Sequence, residues 1–531
     1  MISRSIPIAA AFLAAFPLCH AAETTAPEWQ SAAARKQPMT IDETRAFMKR
    51  LATFVVENHM KRTDHSPQRG MIYEYFWVAQ KGTQRQWIQG EALDTMHDGA
   101  WFAAAMCAAT RATGDPFYRD ILTRWQLPFY LKMLNDGDGL FTSERNDGRP
   151  GDDRGWRGSK EWLLQGREKG FVPYWWDDGA SVSLEMIGRK DRDEHVNFAG
   201  RNEITGPNPD KKLSGYSHGS SNHLAQDLAV MLQAGWMLLR DSPDDDHRKL
   251  CAGIAEAAKN LEACRARHGS PGIPAVKAAL AITSGDAKLR ASLPEETWKS
   301  VATARNDWRR ATREFKPDER VSLPGFADDQ EYRYFVGLAR DGSPGDPVLF
   351  RLIYDAFTLP LLYQMYCDDE PPAPGINVFD LHPYHFVNGK PADYRSQRKG
   401  PNGRPRPTGS RFGPQNMVVS GWALQALKSK PGIWDEAKTK IAAADFFPAA
   451  TVEEVRAALE RELGGGLRTW EAIFDQYGYI PTGIGAGRPI PDAEWDDFSD
   501  SGGYAHLINA CAQWIFRLEN KCDWSAPLGG G

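Results

Sequence analysis

The sequence predicts a predominantly α-helical protein in which helical hairpins stack side by side in a ring. Several segments are apolar on every side, which is typical of inner, buried helices, and amphipathic segments or long polar loops separate them. A loose repeat places two small or short polar residues before a tryptophan in four such segments: Gly99-Ala100-Trp101, Ala234-Gly235-Trp236, Ser420-Gly421-Trp422 and Ala512-Gln513-Trp514. Together these patterns predict buried inner helices with the loops gathered at one end.

The first elements follow directly from local signals. Residues 40–43, Thr-Ile-Asp-Glu, form a capping box for an amphipathic helix. The aromatic cluster 73–77 is either a short strand or an aromatic wall. Residues 94–113 then predict an inner helix with almost no polar face. Gly114-Asp115-Pro116 ends that helix and begins a more amphipathic one over 117–134.

The remaining elements alternate between buried helices and polar connections. A loop over 135–158 leads to a helix near 180–187, and a polar loop runs on to Gly215. Residues 224–240 predict an apolar helix capped by Ser220 or Ser221. Residues 245–315 predict amphipathic outer helices or an insertion. Then come a helix over 350–367, kinked at Pro360, an irregular segment over 368–415 and buried helices over 416–427 and 504–518.

Residues 1–21 predict a secretory signal peptide, with Arg4 before an apolar run and a small residue at the cleavage position. Residues 22–39 predict a flexible leader, residues 40–520 one domain and residues 521–531 a flexible tail. The run is too short to anchor the chain stably in a membrane, so we expect an exported protein, periplasmic or extracellular. Loss of Arg4 changes the net charge from -5 to -6, which argues against nucleic-acid binding.

Six cysteines remain after removal of the signal peptide. In an oxidising compartment Cys251 could pair with Cys264, and Cys511 with Cys522. For Cys107 and Cys367, buried free thiols are equally compatible with their apolar helices. No spacing of cysteines and histidines indicates a zinc site.

The pattern of inner and outer helices over most of residues 40–515 resembles the α/α-toroid carbohydrate-active enzymes. These include polysaccharide lyases and several glycoside hydrolases. The resemblance implies an incomplete or full barrel of helical hairpins, with long irregular loops around one mouth and a substrate site in that mouth.

The loop 215–223 carries the strongest candidate for catalysis. A lyase that eliminates across the C4–O bond of a uronate must neutralise the carboxylate and remove the C5 proton, and Asn, His and Tyr side chains can do both. Asn222-His223, at the start of a helix, resembles the motif of alginate- and heparin-type lyases. That resemblance implies that Asn222 holds the carboxylate and His223 neutralises charge or acts as base, with His218 nearby. Tyr216 would be the Brønsted base or acid, with Tyr384 and Tyr504 as alternatives.

The loop 215–223 also has a simpler interpretation. It could merely cap a helix and supply a hydrogen-bonded core histidine.

Acidic residues beside tryptophans offer a second chemistry. A glycosidase needs two carboxylates across the scissile bond, and aromatic faces beside them would stack on sugars. The residues that fit are Asp94, Asp98, Trp175, Trp176, Asp177, Asp178, Asp496 and Asp497. Each aspartate could instead cap a helix or lie in a surface loop.

A basic segment favours an acidic substrate. Residues 388–412 carry seven basic side chains and one acidic one, a local charge of +6. Such a segment is either a solvated loop or a guide for an anionic polymer, whose carboxylate or sulfate groups arginine binds in a bidentate fashion. The expected substrate-binding residues are Trp175, Trp176, Asp177, Asp178, His97, Arg395, Arg398, Arg411 and His385.

The leading expectation is therefore an exported polysaccharide lyase that cleaves a uronate-containing glycan by β-elimination. The alternatives are a glycoside hydrolase of the same architecture, which would pair Asp177 or Asp178 with Asp98 or Asp497, and a non-catalytic glycan-binding protein. No cofactor is required. The loop at Asp136–Asp138 is compatible with a structural calcium ion, although it lacks the third acidic ligand and the downstream Glu. The oligomeric state is left open.

Overall fold

The structure is a computed structural model, and the part of the chain that it describes is predominantly helical. The described residues are 38–60, 62, 69–73, 75–81, 84–88, 95–136, 169–172, 222–267, 274–286, 288–289, 346, 349–350, 352–354, 356–357, 374–375, 385–387, 390–392, 412–440, 451–481 and 495–522.

The chain begins with an amphipathic helix and a short hairpin. Helix α1, Ile41–Asn58, starts at the predicted capping box: Thr40 and Glu43 each accept a bond from the other's backbone. The aromatic cluster leads into strand β1, Tyr75–Lys81, which pairs with strand β2, Gln84–Ile88. The strand interpretation of this cluster is therefore confirmed.

The first inner helix and its outer partner follow. Helix α2 spans Thr95–Thr113, and its side chains from Ala100 to Ala109 are buried. Asp115 caps helix α3, Pro116–Ile121, as the sequence break predicts. A π-helical turn over Leu122–Gln126 joins α3 to helix α4, Leu127–Asp136.

The central and C-terminal elements complete the described fold. Helices α5, α6 and α7 span Asn222–Leu239, Asp245–Arg267 and Pro274–Ser284. Strands β3, His385–Val387, and β4, Lys390–Ala392, form a two-stranded hairpin. Helices α8, α9 and α10 span Phe412–Ser429, Ile433–Lys440 and Val452–Glu460, and a π-helical turn over Arg461–Gly465 leads to helix α11, Gly466–Tyr477. Strand β5, Trp495–Asp500, then runs directly into helix α12, Ser501–Leu518.

Four helices pack side by side in the order α5, α2, α12, α8. They are the four that carry the tryptophan repeat; Trp101, Trp422 and Trp514 are buried, and Trp236 is half-buried. Helices α2 and α12 are parallel, because residues in their first turns contact each other and so do residues in their second turns. Amphipathic helices form a second layer, with α1 against α12, α6 against α5 and α10 against α8.

A three-stranded antiparallel sheet, ordered β2-β1-β5, adjoins the start of α12. Tyr75 pairs with Asp500, the last residue of β5, and Asp500 then caps α12 through a bond to the Gly502 amide. Because β5 has no connecting loop to α12, the sheet is held at the end of the bundle where α2 and α12 begin.

The cysteine pairs suggested by the sequence are not formed, since Cys107, Cys251, Cys264, Cys511 and Cys522 are free thiols. Cys251 and Cys264 lie on the single helix α6, where thirteen positions correspond to about 20 Å of rise. That separation is far beyond the reach of a disulfide. Cys522 instead lies beside Ser429, with its Sγ 3.0 Å from the serine Oγ.

Candidate functional site

Two inner helices are joined at their first turns by a buried carboxylate. Asp98, in the first turn of α2, accepts bonds from the Gly502 amide at 3.2 Å and the Ser501 hydroxyl at 3.3 Å, both at the start of α12. The Gly502 amide also donates to Asp500 at 2.8 Å. These groups are buried, and negative charge is favoured there because the free amide groups of a helix start carry partial positive charge.

A third helix joins this junction one turn further along. The indole Nε1 of Trp101 on α2 donates to the carboxylate of Asp227 on α5, at 3.0 Å. The ring of Trp101 also lies 4.7 Å from that of His506 on α12. All three residues are buried and belong to the second turns of their helices. Trp101 therefore holds the beginnings of α5, α2 and α12 together, and we call these three residues the junction layer.

A chain of hydrogen bonds lies beside the junction layer and joins the sheet to the bundle. His59 Nδ1 lies 3.0 Å from the Tyr73 carbonyl, and its Nε2 lies 3.1 Å from the Ser499 hydroxyl. Ser499 lies 2.9 Å from the Tyr504 hydroxyl, which accepts the Ile480 amide at 2.9 Å. Burial lowers the pKa of His59 from 6.5 to about 4, against the opposing effects of the Tyr73 carbonyl and the Asp500 charge.

The structure brings the backbones of three predicted site residues to this end of the bundle. Asn222 and His223 are the first two residues of α5, and His97 lies in the first turn of α2. His385 opens strand β3. The other predicted residues lie outside the described part of the chain: Tyr216, His218, Trp175, Trp176, Asp177, Asp178, Arg395, Arg398 and Arg411.

Two of the suggested alternatives occupy structural positions. Asp98 is fully buried and its carboxylate bonds the start of α12, as a cap would. Tyr504 is fully buried, stacks on Phe54 with ring centroids 4.9 Å apart, and belongs to the hydrogen-bond chain. Asp496 and Asp497 lie on β5, paired with Ala79 and Val78 of β1.

Within the described ranges, no three His, Cys, Asp or Glu side chains are grouped so as to hold a metal ion. The suggested calcium loop begins at Asp136, the last residue of α4, and continues outside those ranges. In the described part of the chain, no helix combines the length and apolar character needed to cross a membrane.

Sequence reasoning missed His59, Asp227 and His506. Asp227 and His506 are polar residues within strongly apolar helices, and that contrast is a signal the sequence does contain. His59 carries a weaker signal, because it follows the last turn of an ordinary amphipathic helix. Its importance comes from Ser499, which lies 440 residues further along the chain.

The chain matches no protein-family model and no curated protein.

Proposed function

We propose that this chain is an exported polysaccharide lyase that cleaves a uronate-containing glycan by β-elimination. The observation that carries the proposal is the meeting of three helix starts at the junction layer. One of those helices begins with Asn222-His223, the pair expected to engage the uronate. We further propose that the row α5, α2, α12, α8 belongs to an α/α toroid whose mouth lies at this end.

Helix register supports the grouping of the candidate residues. Positions four apart lie on the same face of a helix. His97 precedes Trp101 by four residues on α2, and His223 precedes Asp227 by four on α5. Because Trp101 and Asp227 contact each other, positions 97 and 223 fall on the facing sides of these helices, one turn nearer their starts.

The electrostatics of this end suit an anionic sugar. Free amide groups at a helix start favour a carboxylate, and α5 and α2 both begin here; the Gly502 amide at the start of α12 is already bonded to Asp98 and Asp500. An amide or imidazole hydrogen-bonded to the uronate carboxylate would make the C5 proton more acidic. A base beside it would take that proton, the C4–C5 double bond would form as the C4–O bond breaks, and the departing oxygen would take a proton from an acid. In this scheme Asn222 and His223 bind and neutralise, and Tyr216 or His218 transfers the proton. The basic residues around Arg395, Arg398 and Arg411 attract the polymer.

A glycoside hydrolase is the second candidate. Its acids would be Asp177 or Asp178 with Asp497, whose strand β5 adjoins the same end of the bundle. Asp98 is the weaker partner for this reaction, because its carboxylate is buried and already accepts the Gly502 amide. A non-catalytic glycan-binding protein is the third candidate and would use the same aromatic residues.

One assay separates the three. Residues 22–531 are incubated with alginate, pectate, heparan, chondroitin and ulvan-type polymers, while ultraviolet absorbance and reducing ends are followed together. A lyase produces both signals, because elimination leaves a C4–C5 double bond conjugated to the carboxylate. Reducing ends without absorbance would favour the hydrolase, and retained binding without either signal would favour the binding protein.

Matched variants then test the residues. Asn222→Ala should abolish the absorbance signal while the protein keeps its thermal transition. Asn58→Ala, which replaces an exposed asparagine in the last turn of α1, should leave the activity unchanged. Asp178→Asn should also leave a lyase active. Full activity in Asn222→Ala, or loss of activity only in Asp178→Asn, would contradict the lyase proposal.

A further inference from the structure

The hydrogen-bond chain that starts at His59 has only one consistent direction. A carbonyl oxygen can only accept, so His59 Nδ1 must donate to Tyr73, and in a neutral ring Nε2 is then an acceptor. Ser499 must therefore donate its single proton to His59. Since that proton is used, Tyr504 must donate to Ser499, and the Ile480 amide donates to Tyr504.

This hydrogen-bond chain ties together four separate parts of the molecule. His59 follows helix α1, Tyr73 lies before strand β1, Ser499 lies on β5, and Tyr504 lies in the first turn of α12. The side chains of His59, Ser499 and Tyr504 are fully buried, so water does not replace these bonds in the folded state. A buried polar network of this kind stabilises one arrangement only while every member is satisfied.

Protonation of His59 conflicts with that arrangement. A charged imidazole donates from both nitrogens, so Nε2 would have to donate to Ser499 and could no longer accept the Ser499 proton. That proton would need another acceptor. If the acceptor were Tyr504, Tyr504 would receive donors from both Ser499 and Ile480, and its own proton would have to leave the hydrogen-bond chain. The bond between His59 and Ser499 would have to reverse, while the bonds to the Tyr73 carbonyl and from the Ile480 amide would keep their direction.

The surroundings oppose the charge only in part. Asp500, on β5, is a charged group that acts on His59, and its carboxylate favours protonation. The titratable group beside it is the Tyr504 phenol, with ring centroids 5.6 Å apart, and Phe54 on α1 lies 6.1 Å away. Burial outweighs the effect of Asp500, so the pKa of His59 falls to about 4.

We propose that His59 is an acid-sensitive latch: while neutral it holds β5 and the start of α12 against α1, and its protonation releases them. The release is local, because the latch residues belong to the sheet and the helix starts, whereas the contact between α8 and α12 lies further along both helices. This inference does not depend on the proposed function. It predicts that acid loosens the end of the bundle where the candidate site lies before it unfolds the remainder.

The sign of the effect follows from the pKa. A histidine whose folded-state pKa is depressed stabilises the closed form fully above 6.5, and this contribution is lost as the pH falls from 6.5 to about 4. The difference between a pKa of 6.5 and a pKa of about 4 corresponds, once His59 is fully protonated, to about a 300-fold change in the closed-to-open ratio.

Hydrogen exchange measured by mass spectrometry tests the latch on the full chain. After correction for the intrinsic pH dependence of exchange, amides in 495–506 should exchange up to about 100-fold faster at pH 4 than at pH 7, because the latch histidine is itself half protonated at pH 4. Amides in 412–429 should remain protected. His59→Gln, which cannot take up the proton, should remove most of this difference.

A second variant keeps the test valid if His59→Gln does not fold. His59→Asn, whose amide also takes up no proton in this range, should likewise remove most of the acid effect. Tyr118→Phe removes a buried phenol hydroxyl outside the latch, on α3, and should keep the full acid effect. An unchanged acid effect in whichever of His59→Gln and His59→Asn folds, or equal loosening of 495–506 and 412–429, would overturn the latch.

Discussion

Gly421 provides the sharpest test of how the inner helices pack. It lies on α8, where a methyl group at its Cα would stand 2.3 Å from Gln513 Cβ and 2.8 Å from Gln513 Cγ on α12. Leu463 Cδ2 would lie at 3.3 Å. One turn further along, Gln425 donates a hydrogen bond to the side chain of Gln513. The two helices are therefore in close contact at the position of the glycine.

Two opposing effects decide the stability of Gly421→Ala. Alanine is favoured over glycine inside a helix by about 1 kcal/mol. Carbon atoms pack at about 3.5–4 Å, however, so α8 and α12 would have to separate by more than ~1 Å at this point. Overpacking of this kind costs about 1–3 kcal/mol, and disturbing the buried bond between Gln425 and Gln513 adds about 1 kcal/mol. The net expectation is a loss of about 1–3 kcal/mol.

Urea unfolding followed by circular dichroism measures this loss, and a second glycine provides the control. Gly432, before α9, has no atom within 4 Å of the place where a Cβ would stand. Gly432→Ala should therefore stay within about 0.5 kcal/mol of the wild type. A Gly421→Ala protein as stable as the wild type, or more stable, would show that α8 and α12 do not approach each other as described.

Three further outcomes are expected. Thr40→Ala should cost about 1 kcal/mol of unfolding free energy because it removes the cap of α1, as thermal unfolding would show. Asp98→Ala should cost about 1–3 kcal/mol more than Asp98→Asn, since the asparagine keeps an acceptor for the Gly502 amide; equal losses in urea unfolding would argue against this bond. Burial raises the pKa of Glu462 from 4.5 to about 7, so its contribution to stability is present below pH 4.5 and lost as the pH rises to 7. The difference in unfolding free energy between Glu462→Gln and the wild type should therefore favour the variant more at pH 8 than at pH 5. Parallel curves of unfolding free energy against pH for the two proteins would contradict this.

Much of the local structure could be predicted from the sequence because its causes are local. The capping box at Thr40 and the break at Gly114-Asp115-Pro116 mark helix boundaries through bonds between residues a few positions apart. The tryptophan repeat identified the four inner helices because it occurs in segments that are apolar on every side, as a helix buried on all sides must be. The cysteine pairs were wrong for the opposite reason, since pairing depends on distances that spacing alone does not reveal.

The candidate site could be predicted only in part. Asn222-His223 stood out as polar residues at the start of an apolar helix, and the helix does begin at Asn222. The role expected for this pair stays a prediction. Asp98 was recognised as an acid beside a tryptophan, but its partner Gly502 lies 404 residues away, and no local pattern connects them.

The sequence by itself determined the helical class, the helices that lie inside and the polar residues worth attention. Hydrophobic periodicity and cap chemistry act over a few residues, so they can be recognised directly in the sequence. Only the tertiary structure decided that α5, α2 and α12 begin together, that Trp101 joins Asp227 to His506, and that His59 lies between the Tyr73 carbonyl and the Ser499 hydroxyl. A buried face shows that a helix needs a neighbour, but the choice of neighbour and the direction of each hydrogen bond depend on contacts between residues hundreds of positions apart.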